Sequence, residues 1–229
     1  MRIPQTLTAL LPLLALAAAT MATTTAGAEP IIRRVGPAQS VAPTADAKSK
    51  AKADTQVLYS TITSNVAMYK ADAGLSIAGD SATDPLQNAA VPFTPALDAN
   101  LTKMVLPVAL SAGNRSTLNV VVYADANGVP GAPLFTWTDV TPFDWKTEKG
   151  AIYPCCSYVQ VTTAEAIALT AGMQYWVGTV TTAGSDVSAI WLNNANGTTG
   201  GYATYGTSGS WTKTASATLP ALSVYGVAR

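Results

Sequence analysis

"VVYADANGVPGAPLFTWTDV", Val121 to Val140, reads as two strands joined by a turn. The run up to Asp125 is β-branched and aromatic, and Leu134 to Val140 resumes that pattern. Between them Asn127-Gly128 can take the positive φ that tight hairpins demand, and Pro130 fixes the exit. "IALTAGMQYWVGTV", Ile167 to Val180, repeats the plan around Ala171-Gly172. Two hairpins of this kind, far apart in one chain, point to an all-β domain.

The surrounding sequence agrees. Short strand-like runs recur at Val57–Ile62, Leu75–Ala78, Ala89–Phe93, Leu101–Leu110, Leu118–Ala124 and Tyr158–Thr162. They continue at Ala166–Leu169, Tyr175–Thr181, Ala189–Leu192, Tyr202–Tyr205 and Ala221–Val227. Turn residues separate them, among them Ala112-Gly113-Asn114, Asn196-Gly197 and Ser208-Gly209-Ser210. No stretch beyond residue 56 carries an apolar stripe with the helical period of about 3.6. Leu118 to Ala124 is apolar nearly throughout, as in a central strand with little water on either face. The expectation is a single antiparallel β-sandwich, jelly-roll-like, over residues 56–229.

Two other segments precede that domain. Residues 1–28 read as a secretory signal peptide, with Met1-Arg2 carrying charge, a short apolar run from Leu7 to Ala19, and Ala26-Gly27-Ala28 before Glu29. The apolar run falls short of the roughly 20 residues a membrane span needs. Residues 29–55 are rich in Ala, Pro, Lys and Ser and lack a sustained apolar period, which predicts a flexible linker. A soluble protein, secreted or periplasmic, follows from these features. From residue 55 onward seven Lys and Arg stand against ten Asp and Glu, so the net charge is −3. That balance, with no basic stripe, argues against a nucleic-acid partner.

Tyr123-Ala124-Asp125 followed by Gly128-Val129-Pro130-Gly131 resembles the "YAD-x-x-G-x-PG" hairpin of the choice-of-anchor R domain. Leu169-Thr170-Ala171-Gly172 with Tyr175-Trp176 is similar to that family's "LTAG-x-x-YW". "AVPFTP", "LTKMVLPVAL" and the closing "GGYATYGTSGSWTKTASATLPALSVYG" resemble its remaining signatures, so the likeness covers about residues 57 to 227. The resemblance implies a bacterial exported β-sandwich without a settled activity. The family's usual C-terminal sorting signal has no counterpart in "VYGVAR".

Chemistry is bounded by what the chain lacks. It has no histidine, which removes Ser-His-Asp and Cys-His mechanisms and histidine-ligated zinc. Asp139, Asp144, Glu148, Glu165 and Asp186 are carboxylates of the type a glycosidase pairs at about 5 to 9.5 Å. Glu148, in "KTEKG", reads as solvated surface charge. "DANG" (Asp125 to Gly128) and "GDSATD" (Gly79 to Asp84) offer oxygen atoms, yet calcium takes six to eight ligands. An Asp side chain capping its own turn explains both stretches with less. The expectation is therefore a non-catalytic protein with no metal and no cofactor, acting at or outside the cell envelope.

The alternative is a carbohydrate-binding module, whose partner would be a polysaccharide or another envelope component. Sugar rings present C–H faces that stack on flat side chains, so exposed aromatics are its candidates. Trp176 and Trp191 sit in strand-like runs and read as core, and Trp137 can point either way. Trp145 in "TPFDWKTEKG", Tyr153 in "YPCCS" and Trp211 in "GSWTK" lie in polar surroundings and are the candidate ligand contacts.

Trp145 and Tyr153 share a long connection, Thr141 to Ser157, with Cys155 and Cys156, the only cysteines of the chain. Three states are open to that pair: a ring between neighbours, free thiols, or links between chains. Adjacent Cα atoms stand about 3.8 Å apart, below the usual disulfide range, so a ring is strained. Export nevertheless favours oxidation, and the expectation is a vicinal disulfide.

Overall fold

The computed structural model describes residues 31–32, 54–63, 67–112, 117–144 and 157–229. Trp145, Tyr153, Cys155, Cys156, Glu148 and the signal segment lie outside the described residues. Among the described residues fifteen strands form two sheets, and there is no helix. The strands are β1 (Ile31–Ile32), β2 (Thr55–Ser60), β3 (Tyr69–Ala78), β4 (Gln87–Phe93), β5 (Ala99–Leu106), β6 (Val108–Ala112), β7 (Leu118–Asp125) and β8 (Pro130–Val140). They continue as β9 (Phe143–Asp144), β10 (Val159–Leu169), β11 (Tyr175–Val180), β12 (Ser188–Asn194), β13 (Thr199–Gly206), β14 (Trp211–Thr218) and β15 (Ser223–Ala228).

One sheet has five strands in the order β1-β10-β5-β15-β2. The other has ten: β8-β7-β11-β4-β3-β12-β6-β9, with the β13–β14 hairpin joined to β4. Every pairing is antiparallel except β6 with β9. Period-two alternation turns one side chain set of each sheet inward. Leu101, Met104, Leu106, Val159, Val161 and Val224 of the small sheet meet Val91, Phe93, Val120, Val122, Trp137 and Val177 of the large one. This is the sandwich expected from the sequence.

The opening hairpin forms as its residues dictate. Asn127 and Gly128 take φ of 58° and 85°, the type I′ pattern, and the Ala126 N–H donates to the Val129 carbonyl. Gly172, Gly197 and Gly209 also adopt positive φ, so three more turns fall where their glycines stand.

Where the elements differ from the sequence expectation, the cause is local. Leu101–Leu110 is not one strand. Pro107 has no N–H to donate, the ladder breaks there, and the chain passes from the small sheet (β5) to the large one (β6). Tyr158–Thr162 and Ala166–Leu169 are instead one strand, β10, interrupted by a register shift between Thr162 and Ile167. Within that shift the Thr163 hydroxyl accepts the Glu165 N–H at 2.9 Å. Trp137 crosses the core from β8 and gives its indole N–H to the Thr162 carbonyl at 2.8 Å. The stretch 29–55, expected as a linker, is described only at Ile31–Ile32 and from Asp54. Ile31–Ile32 pairs with Val159–Gln160, and Thr55 opens β2.

A smaller core accompanies the main one. Met68, Tyr69, Val105, Ala109, Phe143, Leu192 and Ala221 pack together in it. Phe143 opens the long 141–157 connection, and its ring stands 6.2 Å from that of Tyr69. On the small sheet, Lys103 places its ammonium 4.0 Å from the centroid of the Tyr225 ring.

Candidate functional site

The large sheet carries a third cluster on the face turned away from the main core: Ala90, Trp176 and Ala203 buried, with Tyr123 and Trp211 packed against them. Register explains the composition. Gly178 of β11 pairs with Ala90 of β4, and Ala90 pairs with Ala203 of β13, so three small residues lie side by side across three strands. The neighbouring outward positions are aromatic: Trp176 opposite Tyr123, and Tyr205 opposite Trp211. A Cβ added at Gly178 would stand 2.8 Å from Tyr123 Cε2, so the missing side chain is what lets the tyrosine ring lie over the strand.

Trp211 joins the two aromatic rows. Its ring lies 5.9 Å from Tyr123 and 5.6 Å from Tyr205, edge-to-face with both. β7 and β14 are separated by β11, β4 and β13 in the sheet. Contact between residues on those two strands therefore requires the sheet to curl around this face. Trp211 opens a strand rather than sitting in a loop, and it is half-buried.

Polar groups border the rings. Asp125, at the end of β7, accepts three hydrogen bonds. Oδ1 takes the Trp176 indole N–H at 2.7 Å and the Gln174 amide at 2.6 Å, and Oδ2 takes the Gly128 backbone N–H at 3.0 Å. Partial desolvation works against the Asp125 charge, but these three donors and the positive Lys213 together hold its carboxyl below the ordinary range. Lys213 reaches from β14 to the β7–β8 turn, since a Cβ at Gly128 would stand 3.2 Å from its Nζ. Burial pushes the Tyr123 hydroxyl up to about 12, so it stays neutral.

The same bonds give physical content to the two quoted motifs. In "LTAG-x-x-YW" the Tyr175 hydroxyl accepts the Thr170 N–H at 3.0 Å, closing the Gly172 turn, while its ring packs 5.7 Å from Phe93. The Asp of "YAD" holds the Trp of "YW". The motifs lie 51 residues apart in sequence, yet they form one interaction.

The remaining candidates fall elsewhere. Trp176 and Trp191 are fully buried, and Trp191 donates to the Ala221 carbonyl at 2.9 Å. Trp137 points inward. Asp139 sits at φ 56° in the irregular β7–β8 ladder and accepts the Thr117 hydroxyl at 3.3 Å. Asp144, Glu165 and Asp186 are exposed on β9, on β10 and before β12. Asp80 of "GDSATD" accepts the Gly184 N–H at 2.8 Å, and Asp125 of "DANG" caps its own turn as described. Of this cluster the sequence singles out Trp211 but not Tyr123, Tyr205, Gln174 or Lys213. Outward parity on β7, β13 and β14 is the signal for Tyr123, Tyr205 and Lys213, and Gln174, before β11, carries none.

The arrangement offers a half-open aromatic surface bordered by a carboxylate, an amide and an ammonium. Comparison with known proteins gave no match to a family model, to a curated protein or to a solved structure.

Proposed function

We propose that this chain is a non-catalytic, exported β-sandwich of the choice-of-anchor R kind, acting at or outside the cell envelope, and that it works by binding a polysaccharide. The observation that carries the binding half is the Trp211–Tyr123–Tyr205 cluster on the outer face, flanked by Asp125 and Lys213. Aromatic rings supply an apolar platform for pyranose C–H faces. The nearby charged groups can exchange hydrogen bonds with hydroxyls, the usual division of labour in a ligand site. Support for export is the signal-like N-terminus, and support for the family kinship is the order of the motifs. Support for a non-catalytic role is the histidine-free sequence and the local engagement of Asp125 and Asp139.

The test is a pull-down of the folded protein on insoluble polysaccharides, followed by titration with the soluble form of any that binds. Trp211→Ala is expected to weaken affinity roughly tenfold or more, the scale of a lost aromatic anchor. Leu134→Ala, an exposed position on β8, should leave it unchanged. A folded wild-type protein that binds no glycan, or a Trp211→Ala protein that binds as well as wild type, would overturn the proposal.

A further inference from the structure

The chain contains two Asn-Gly pairs, Asn127-Gly128 and Asn196-Gly197, each in a turn and each with its glycine at positive φ. We propose that Asn196 is a site of spontaneous covalent modification, its amide converting to aspartate and isoaspartate through a cyclic imide with Gly197. Asn127, in the same dipeptide, is held back by Asp125.

The reaction needs only water. The Gly197 nitrogen gives up its proton to solvent and attacks Cγ of Asn196. A C–N bond forms, the Cγ–Nδ2 bond breaks, and the nitrogen leaves as ammonia. Water then opens the five-membered ring at either carbonyl, giving aspartate or isoaspartate. Glycine is the favourable second residue because no Cβ crowds the attacking nitrogen.

The two turns treat that nitrogen differently. The Gly128 N–H donates to Asp125 Oδ2 at 3.0 Å. Before attack, Gly128 must leave a carboxylate acceptor, and the adjacent negative charge disfavours loss of its proton. The Gly197 N–H instead lies in the backbone turn at Ala195–Asn196 and meets no carboxylate among the described residues. Asn196 and Gly197 are both exposed, so solvent reaches the amide and the ring that follows.

The Asn196 side chain lies along the turn, where Nδ2 donates to the Thr198 hydroxyl at 2.8 Å. Around it the turn is firmly held. Buried Asn194 accepts the Thr198 N–H at 2.8 Å and donates to the Thr198 and Leu219 carbonyls at 2.9 and 2.6 Å. Modification therefore places a new negative charge on an exposed turn.

The experiment is peptide mapping by mass spectrometry of the native full chain held at mildly alkaline pH, with the urea-unfolded chain as reference. In the unfolded chain both sites should gain the amide-to-acid mass at similar rates. In the native chain Asn196 should convert, while Asn127 lags by about tenfold, the scale of one charge-assisted hydrogen bond that must break first. Asp125→Asn should bring Asn127 towards the Asn196 rate. Equal native rates at the two sites, or an Asn196 that stays amidated while the unfolded chain converts, would overturn the proposal. An Asp125→Asn chain that remains folded by circular dichroism and still protects Asn127 would overturn the role given to the carboxylate.

Discussion

Asp125 carries several tasks on one small side chain. It ends a strand, caps the turn that follows, fixes the ring of Trp176 and orients Gln174. Its oxygens reach a backbone N–H three residues ahead and a tryptophan on the neighbouring strand at once. Asparagine keeps the shape but loses the charge and one acceptor. Asp125→Asn should therefore cost about 1 kcal/mol near neutral pH, the lower end of the range for bonds to charged groups, because the residue is exposed. The pH dependence has a definite sign. A carboxyl whose folded pKa is lowered contributes fully above its unfolded value, about 3.9, and loses that contribution as pH falls through the folded value. Urea midpoints of wild type and Asp125→Asn should thus differ at pH near 7 and converge in strong acid. A gap of equal size at both pH values would show that the charge does not matter.

At the scale of elements, the joint between β8 and β10 illustrates how an irregular strand is tied to the opposite sheet. β10 shifts register between Thr162 and Ile167, and the carbonyl at the edge of that shift is met by the indole of Trp137. Phenylalanine at position 137 would preserve much of the apolar volume and leave the carbonyl without its donor. Trp137→Phe is expected to lower stability by about 1–3 kcal/mol, read as a fall in urea midpoint with an unchanged slope. This joint was not legible beforehand: the sequence shows two short β-like runs around Thr163–Glu165 but not the indole that spans the core to hold them as one strand. Strands bounded by glycine turns were legible, because a positive-φ glycine fixes a boundary whatever the tertiary context. β14 was missed for the opposite reason. "WTKTASAT" has no large apolar residue after Trp211 and pairs only with β13, so neither periodicity nor burial marks it. The candidate site was half legible. Trp211 stood out in polar surroundings, but the rings beside it come from strands distant in sequence, and only sheet curvature brings Tyr123 to it.

For the whole molecule, the decisive fact is where the ends of the sandwich meet. β2, which opens the 54–229 block, pairs with β15, the last strand, and β15 lies between β2 and β5 in the small sheet. The Ser60 and Ser223 hydroxyls are 2.7 Å apart across a separation of 163 residues, and the Thr61 hydroxyl donates to the Pro220 carbonyl while accepting the Leu222 N–H. The small sheet therefore cannot close until β15 is present, and such long-range pairing makes folding slow. The two ends are not equivalent. β2 is an edge strand whose inward anchor is Leu58, whereas β15 is central and removing it strands both neighbours and takes Val224 from the main core. A chain ending at Leu222 should show no cooperative unfolding transition by tryptophan fluorescence. A chain beginning at Thr61, which lacks β1 and β2, should keep one at a lower urea concentration, since it loses Leu58 and the Tyr59 ring from the main core but keeps both β5 and β15. A cooperative transition in the C-terminally shortened chain would mean that the large sheet folds without its partner. That outcome would overturn the view that the sandwich is completed by its last strand.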